Sequence, residues 1–148
     1  MFKHILIATD GSALAAKGVK AGVKLARALG ARVTGAYVVQ PYLAAVYSDA
    51  AMYMTASAVA DYDRAGKAQA AKALDVVERA AKGAGVRCAT RAEQEVQPWQ
   101  GILKAARKSA CDVIVMASHG HGGVAGAILG SQTSRVLSHS KIPVLVIR

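Results

Sequence analysis

The sequence predicts an α/β fold, a single doubly wound open parallel sheet of five strands with helices on both faces. Three observations predict it. Short apolar runs alternate with helical stretches along the chain in the order β-α-β-α-β-α-β-α-β, which is how parallel sheets with right-handed crossovers are built. The runs Lys3–Thr9 and Asp112–Met116 are apolar on both faces, as strands buried between two helical layers are. A glycine-rich stretch, Ala117–Ser131, lies between the second of these runs and a helix. At 148 residues the chain is expected to form one domain over 1–148, large enough for a real core.

Taken in order, Lys3–Thr9 is the first strand and Asp10-Gly11-Ser12 the turn after it. Ser12 is suited to cap a helix running to Leu29, and Gly30 stands where a left-handed C-cap is expected. Arg32–Val39 is the second strand, stopped by Pro41. Gln40–Ser57, rich in Ala and Tyr, reads as a long connection with at most a turn of helix. It is either a binding or partner surface or a cover over the sheet. Ala58–Ala84 is the longest helix, with Leu74, Val77 and Ala81 on its buried face and Gly83 and Gly85 at its end. Val86–Glu93 is polar enough to be an edge or near-edge strand. Pro98 opens a helix continuing through Trp99–Ser109, and Trp99 is expected to pack on the sheet. Asp112–Met116 is the fourth strand, a helix covers Gln132–His139, and Pro143 leads into a last strand, Val144–Ile147.

Composition narrows the function. Hydrophobic residues make up 53% of the chain and prolines number 3, which argues against disorder. No apolar run approaches the roughly 18 residues of a membrane span, and the first apolar stretch is too short for a secretory signal. The expected compartment is the cytoplasm. The 2 cysteines, Cys88 and Cys111, have no metal or redox spacing and read as small apolar fillers. The net charge of +10 admits an acidic partner. Much of it falls on solvated helix faces, however, as with Lys17, Lys20, Lys24 and Arg27 on one stripe. With aromatics at 5%, stacking platforms for single strands are missing, so nucleic acid is not expected as the main partner.

The chemistry concentrates in the glycine-rich stretch. Strand, glycine loop and helix start, in that order, form an arrangement that holds phosphates: glycines allow close backbone approach, and the helix N-terminus adds donors and a positive dipole end. Gly120, Gly122 and Gly123 supply N–H groups, while Ser131 and Thr133 place hydroxyls where they bond phosphate or cap the helix. His119 and His121 flank Gly120 with no acid nearby in sequence, a poor metal pair. They are phosphate neighbours or plain loop residues. Asp10 ends the first strand, and in sheets of this class ligands bind beyond the strand ends where the order reverses. No nucleophile with a base, no paired carboxylates and no loop lysine support catalysis, so no catalytic residue and no protein metal site is assigned.

Ile5–Asp10, the glycine loop and Pro143–Arg148 together resemble the universal stress protein family, and the resemblance covers essentially the whole chain. The nucleotide-binding branch carries Gly, two residues, Gly, nine residues, then Gly-Ser or Gly-Thr. Here Gly120, the spacer His121–Leu129 and Gly130-Ser131 match, and Ala117 stands at the first glycine. A negative φ at Ala117 would tolerate the methyl group; a positive φ would strain the backbone. The resemblance implies a Rossmann-like sheet of order 3-2-1-4-5, with Asp10 near the nucleoside, the Val38 backbone at adenine and Gly120, Gly130 and Ser131 at the phosphates. His119 lies in the same loop, and Met116, Ala117, Gln132 and Thr133 line the crevice by proximity. It further implies ATP with Mg²⁺ as ligand and a homodimer through Val144–Ile147. Three functions follow: an ATP-binding dimeric stress-response switch, a non-nucleotide interaction module, or a slow ATPase or autophosphorylating protein.

Overall fold

A computed structural model of the chain describes residues 1–42, 55–121 and 129–148. Among these residues five strands, β1 (His4–Ala8), β2 (Arg32–Val39), β3 (Cys88–Gln94), β4 (Val113–Ala117) and β5 (Val144–Ile147), alternate with four helices. These are α1 (Ala13–Leu29), α2 (Ala56–Gly83), α3 (Pro98–Lys108) and α4 (Ser131–His139). The strands form one parallel sheet in the order β3-β2-β1-β4-β5. The expected fold class and strand order are therefore what the chain adopts.

Alternation along the strands divides the core in two. Ile5 and Ile7 of β1 with Val113 and Val115 of β4 face Val19, Val23 and Ala26 of α1 and Val77 and Ala81 of α2. Leu6, Ile114 and Met116 face the other way, onto Ile102 and Ala105 of α3 and Val136 of α4. Every residue of β1 and β4 is buried, because helices cover both faces of these central strands. The contact between α1 and the sheet is close: a Cβ on Gly22 would come within 2.7 Å of Ile7 Cδ1, and one on Gly18 within 3.4 Å of the Ala117 nitrogen.

Element ends follow from their caps. Ser12 Oγ accepts the Ala15 N–H (3.1 Å) and Gly30 ends α1 at φ 63°. α2 begins at Ala56, two residues before the expected Ala58, because Thr55 Oγ1 accepts the Ala58 N–H (3.3 Å). β3 starts at Cys88, later than Val86, after Gly85 turns the chain at φ 69°. Asp112 stays outside β4 and spends its carboxylate on the Lys3 N–H (2.8 Å) and His4 N–H (3.2 Å). β3 is an edge strand as expected, and Cys88 and Cys111 are free thiols. Most of the Gln40–Ser57 connection, with Tyr47, Met52, Tyr53 and Met54, lies outside the described residues, as do Gly122 and Gly123.

Candidate functional site

β1 and β4 are neighbours, with Ile5–Ile7 in register with Val113–Val115. From their carboxyl ends the chain departs to opposite faces of the sheet, into α1 and toward α4. A cavity of about 440 Å³ opens at this divergence. Ala8, Ala36, Ile102 and Met116 give it an apolar floor, and the first turns of α1, α3 and α4 contribute Ala15, Pro98 and Ser131 to its wall. Three helix N-termini thus face one crevice with the positive ends of their dipoles. Those of α1 and α4 also bring unpaired N–H groups, while in α3 Pro98 has none and the Gln100 and Gly101 N–H groups go to the Gln97 carbonyl. All ten positions singled out from the sequence line it: Asp10, Val38, Met116, Ala117, His119, Gly120, Gly130, Ser131, Gln132 and Thr133.

Asp10 organises the mouth. Its Oδ1 accepts the Ser12 N–H at 3.0 Å and its Oδ2 the His121 N–H at 2.8 Å. His121 Nε2 donates to the Asp10 carbonyl at 2.9 Å, so one residue holds the loop twice. Burial pushes the Asp10 carboxyl up, but the Ser12 hydroxyl and N–H and the His121 N–H outweigh it and leave it below its ordinary value. Gly120 lies against this carboxylate, where a Cβ would run into Asp10 Oδ2. Gly130 is confined too: its N–H donates to the Ser118 carbonyl at 2.8 Å, and a Cβ would sit 3.1 Å from that oxygen and 3.3 Å from His119 Cα. Both motif glycines are therefore demanded by the protein's own packing as well as by any ligand.

The hydroxyls and amides divide their tasks differently from expectation. Gly130, rather than Ser131, is the N-cap of α4, and Ser131 is its first helical residue. Among the described residues the Ser131 hydroxyl makes no hydrogen bond, which leaves it available to a ligand. Thr133 is committed elsewhere: 2% exposed, its Oγ1 donates to the Ala117 carbonyl at 3.0 Å and ties α4 to the end of β4. Gln132 Oε1 accepts the Trp99 N–H at 3.0 Å, capping α3, whose own N-cap residue Gln97 supplies no side-chain bond. His119 Nδ1 lies 3.0 Å from Ser118 Oγ, and its buried Nε2 has no partner among the described residues.

Ala117 is the last, buried residue of β4. Among the described non-glycine residues only Ala110 has a positive φ. Alanine at 117 therefore carries no left-handed strain, and the missing glycine costs the backbone nothing. Val38 sits two residues beyond the last rung between β1 and β2, where the Thr9 N–H donates to the Ala36 carbonyl at 2.9 Å. The Val39 carbonyl accepts the Glu95 N–H at 3.2 Å toward β3, so by alternation the polar backbone groups of Val38 face the crevice side.

Sequence reasoning missed Thr9, Tyr37, Gln40, Pro98 and Ile102 as wall residues, and it left His121 between a phosphate neighbour and a plain loop residue, without its bonds to Asp10. Thr9 and Gln40 adjoin strand ends already chosen and were within reach. Pro98 and Ile102 come from α3, which no local motif links to the crevice. Among the described residues no cluster of three or more His, Cys, Asp or Glu side chains could hold a metal. No helix among them is long and apolar enough to cross a membrane.

Comparison with known proteins places this geometry. The family described as "Universal stress protein family" matches residues 1–148. Universal stress protein MJ0531 of Methanocaldococcus jannaschii is 29% identical over 151 aligned residues, covering 100% of this chain and 83% of that protein. The Thermus aquaticus "Universal stress protein in QAH/OAS sulfhydrylase 3'region" is 30% identical, with 100% of both chains covered. Universal stress protein UspA from Lactobacillus plantarum superimposes with a TM-score of 0.79 at 24% identity, covering 99% of this chain and 97% of that one. A universal stress protein in complex with cAMP has a TM-score of 0.72 at 24% identity, over 99% and 97% of the chains. An Arabidopsis thaliana family protein with AMP bound has 0.67 at 14%, over 98% and 90%. At these identities the solved structures speak for the fold, and the match over the full length speaks for the family: the chain belongs to the universal stress protein family.

Proposed function

We propose that this chain binds an adenine nucleotide, ATP with Mg²⁺, in the crevice between β1 and β4, and acts as a dimeric stress-response switch in the cytoplasm rather than as an enzyme. One observation carries the reading. A single cavity of about 440 Å³ combines an apolar floor, three helix N-termini and two glycines with no room for a side chain. Its size is that of a small-molecule site, and its polar groups are separated as a nucleotide requires. The crevice-facing backbone of Val38 suits the edge of adenine. Asp10 stands between that edge and the loop, near where a ribose would lie. Gly120, Gly130 and the uncommitted Ser131 hydroxyl surround the α4 N-terminus, where phosphate oxygens are favoured. Bound cAMP and AMP in two proteins of the same fold support the ligand class.

The residues fit the phosphates better than they fit a free metal ion. Among the described residues Asp10 is the only carboxylate lining the crevice, and its oxygens already accept N–H donors. Mg²⁺ would therefore enter with the triphosphate, held mainly by phosphate oxygens and water. Among the described residues no nucleophile is paired with a base in the crevice, so hydrolysis is expected to be slow and incidental. Dimerisation is part of the reading. β5 has β4 on one side only, and Leu145 is 41% exposed, an edge suited to antiparallel pairing with a second copy.

Calorimetric titration with Mg-ATP, AMP and cAMP tests the proposal. Saturable binding of at least one, weakened in Gly130→Leu, is the expected result. No heat with any of the three at high micromolar concentration would leave the interaction-module reading in its place.

A further inference from the structure

The pole of the sheet opposite the crevice carries a concentration of positive charge that the nucleotide site does not use. This pole consists of segments 1–4, 27–33, 82–88, 107–113 and 139–144, all described. Seven exposed cations lie in them: Lys3, Arg27, Arg32, Lys82, Arg87, Arg107 and Lys141. None is in an ion pair among the described residues. An eighth, Lys108, is bonded to Glu93 at 3.1 Å. The single acid, Asp112, is occupied by the Lys3 and His4 N–H groups.

Cations at helix C-termini are ordinary compensation for the helix dipole, so that explanation has to be weighed first. Four helices end at this pole, together worth about two negative charges. With Asp112 added, the seven cations still exceed their compensation by about four charges. The arrangement is also ordered. The Arg32 N–H donates to the Lys3 carbonyl at 3.0 Å and the Val33 N–H to the Arg87 carbonyl at 2.8 Å. Lys3, Arg32 and Arg87 therefore start three adjacent strands, a row about 10 Å wide at the usual strand spacing, with Arg27 and Lys82 ending helices on one side of it and Arg107 on the other.

The composition of the pole selects the partner. Protein interfaces are built around apolar and aromatic anchors, yet apart from Met1 no large apolar side chain is exposed here. Membrane-surface elements add an apolar face, which is missing for the same reason. Single-strand binders stack bases on aromatics, and the one aromatic of these segments, Phe2, packs against the core. A duplex phosphate backbone needs only cations in register with closely spaced negative charge. We propose that this pole docks the phosphate backbone of a nucleic-acid duplex without reading its sequence. The crevice lies at the far end of the strands, about 17 Å away along β1, so both sites can be filled at once.

The test is fluorescence anisotropy of the full chain with a labelled duplex of arbitrary sequence, between 50 and 200 mM KCl. About five phosphate contacts give a slope of log K against log salt near −4.5, a loss of roughly 500-fold across that range. Arg32→Ala/Arg87→Ala/Lys141→Ala is expected to flatten the slope by about 2.7. Lys17→Ala/Lys20→Ala/Lys24→Ala removes the same charge from the exposed face of α1 and is expected to leave the slope nearly unchanged. Thermal melting confirms that both variants fold, since every side chain removed is exposed. Equal effects of the two variants would assign binding to net charge and overturn the proposal. So would absence of duplex binding at 50 mM KCl, or capture by phosphatidylserine vesicles but not by duplex.

Discussion

Replacing Gly120 by alanine isolates the link between the motif glycine and Asp10. The backbone there is not left-handed, so alanine brings no conformational strain, and the whole penalty comes from the new methyl group meeting Asp10 Oδ2. That oxygen cannot yield freely. It accepts the His121 N–H at 2.8 Å, while its partner Oδ1 accepts the Ser12 N–H at 3.0 Å. Moving the carboxylate gives up at least one hydrogen bond to a charged group, about 2 kcal/mol. For a chain of this length that corresponds to a fall in melting temperature of about 4–8 °C. Urea unfolding of wild type, Gly120→Ala, Asp10→Ala and the double variant completes a cycle. Gly120→Ala is expected to cost about 2 kcal/mol alone and almost nothing once Asp10 is Ala. A coupling energy within about 0.5 kcal/mol of zero would refute the argument, because the glycine would then be serving something other than the carboxylate.

Other perturbations reach the site from different directions. A Cβ on Gly101 would lie 2.6 Å from both Val38 methyl groups, so Gly101→Ala is expected to displace Val38 and weaken AMP binding at least tenfold in calorimetry. Its stability cost should be about 1–3 kcal/mol. Asp10 titrates below its ordinary value, so it contributes stability that is complete above the ordinary carboxylate range, near pH 4. That contribution is lost as pH falls through the lowered folded value. Denaturant unfolding of Asp10→Asn should accordingly lack that part of the acid dependence. Glu93, 5% exposed, accepts from Lys108 at 3.1 Å and Arg91 at 3.2 Å. Glu93→Gln is expected to cost about 1–3 kcal/mol in urea unfolding and leave nucleotide affinity unchanged. The Trp99 backbone N–H is held by crevice residue Gln132, so nucleotide binding should shift the residue and change tryptophan emission, and loss of that response in Gln132→Ala would confirm the route.

What the sequence reveals and what it hides have physical reasons. The apolar runs around Ile5–Ile7 and Val113–Val115 are legible because strands buried on both faces leave no alternation to misread. Ser12 and Gly30 mark α1 because capping is local chemistry. The crevice itself is a product of strand adjacency, which periodicity does not encode; the family pattern in the glycine loop supplied it. Side-chain tasks were least legible. Thr133 and Ser131 are similar hydroxyls two residues apart, yet one is buried against the Ala117 carbonyl and the other faces the crevice. Helix phase decides between them, and a one-residue shift in the N-cap, from Ser131 to Gly130, is enough to exchange such roles.

The close seating of α1 on the sheet also has a consequence for protein engineering. Glycines inside helices are usual first targets for thermostabilisation, since alanine there gains up to about 1 kcal/mol. Gly18 and Gly22 lie one turn apart on the same buried stripe and should respond with opposite signs. At Gly18 the nearest atom to a new methyl group is 3.4 Å away, an ordinary contact, so Gly18→Ala can realise the helical gain. At Gly22 the Ile7 side chain is already at 2.7 Å, and the same change would wedge α1 away from β1. A consensus-style sweep that treated the two positions alike would cancel its own benefit.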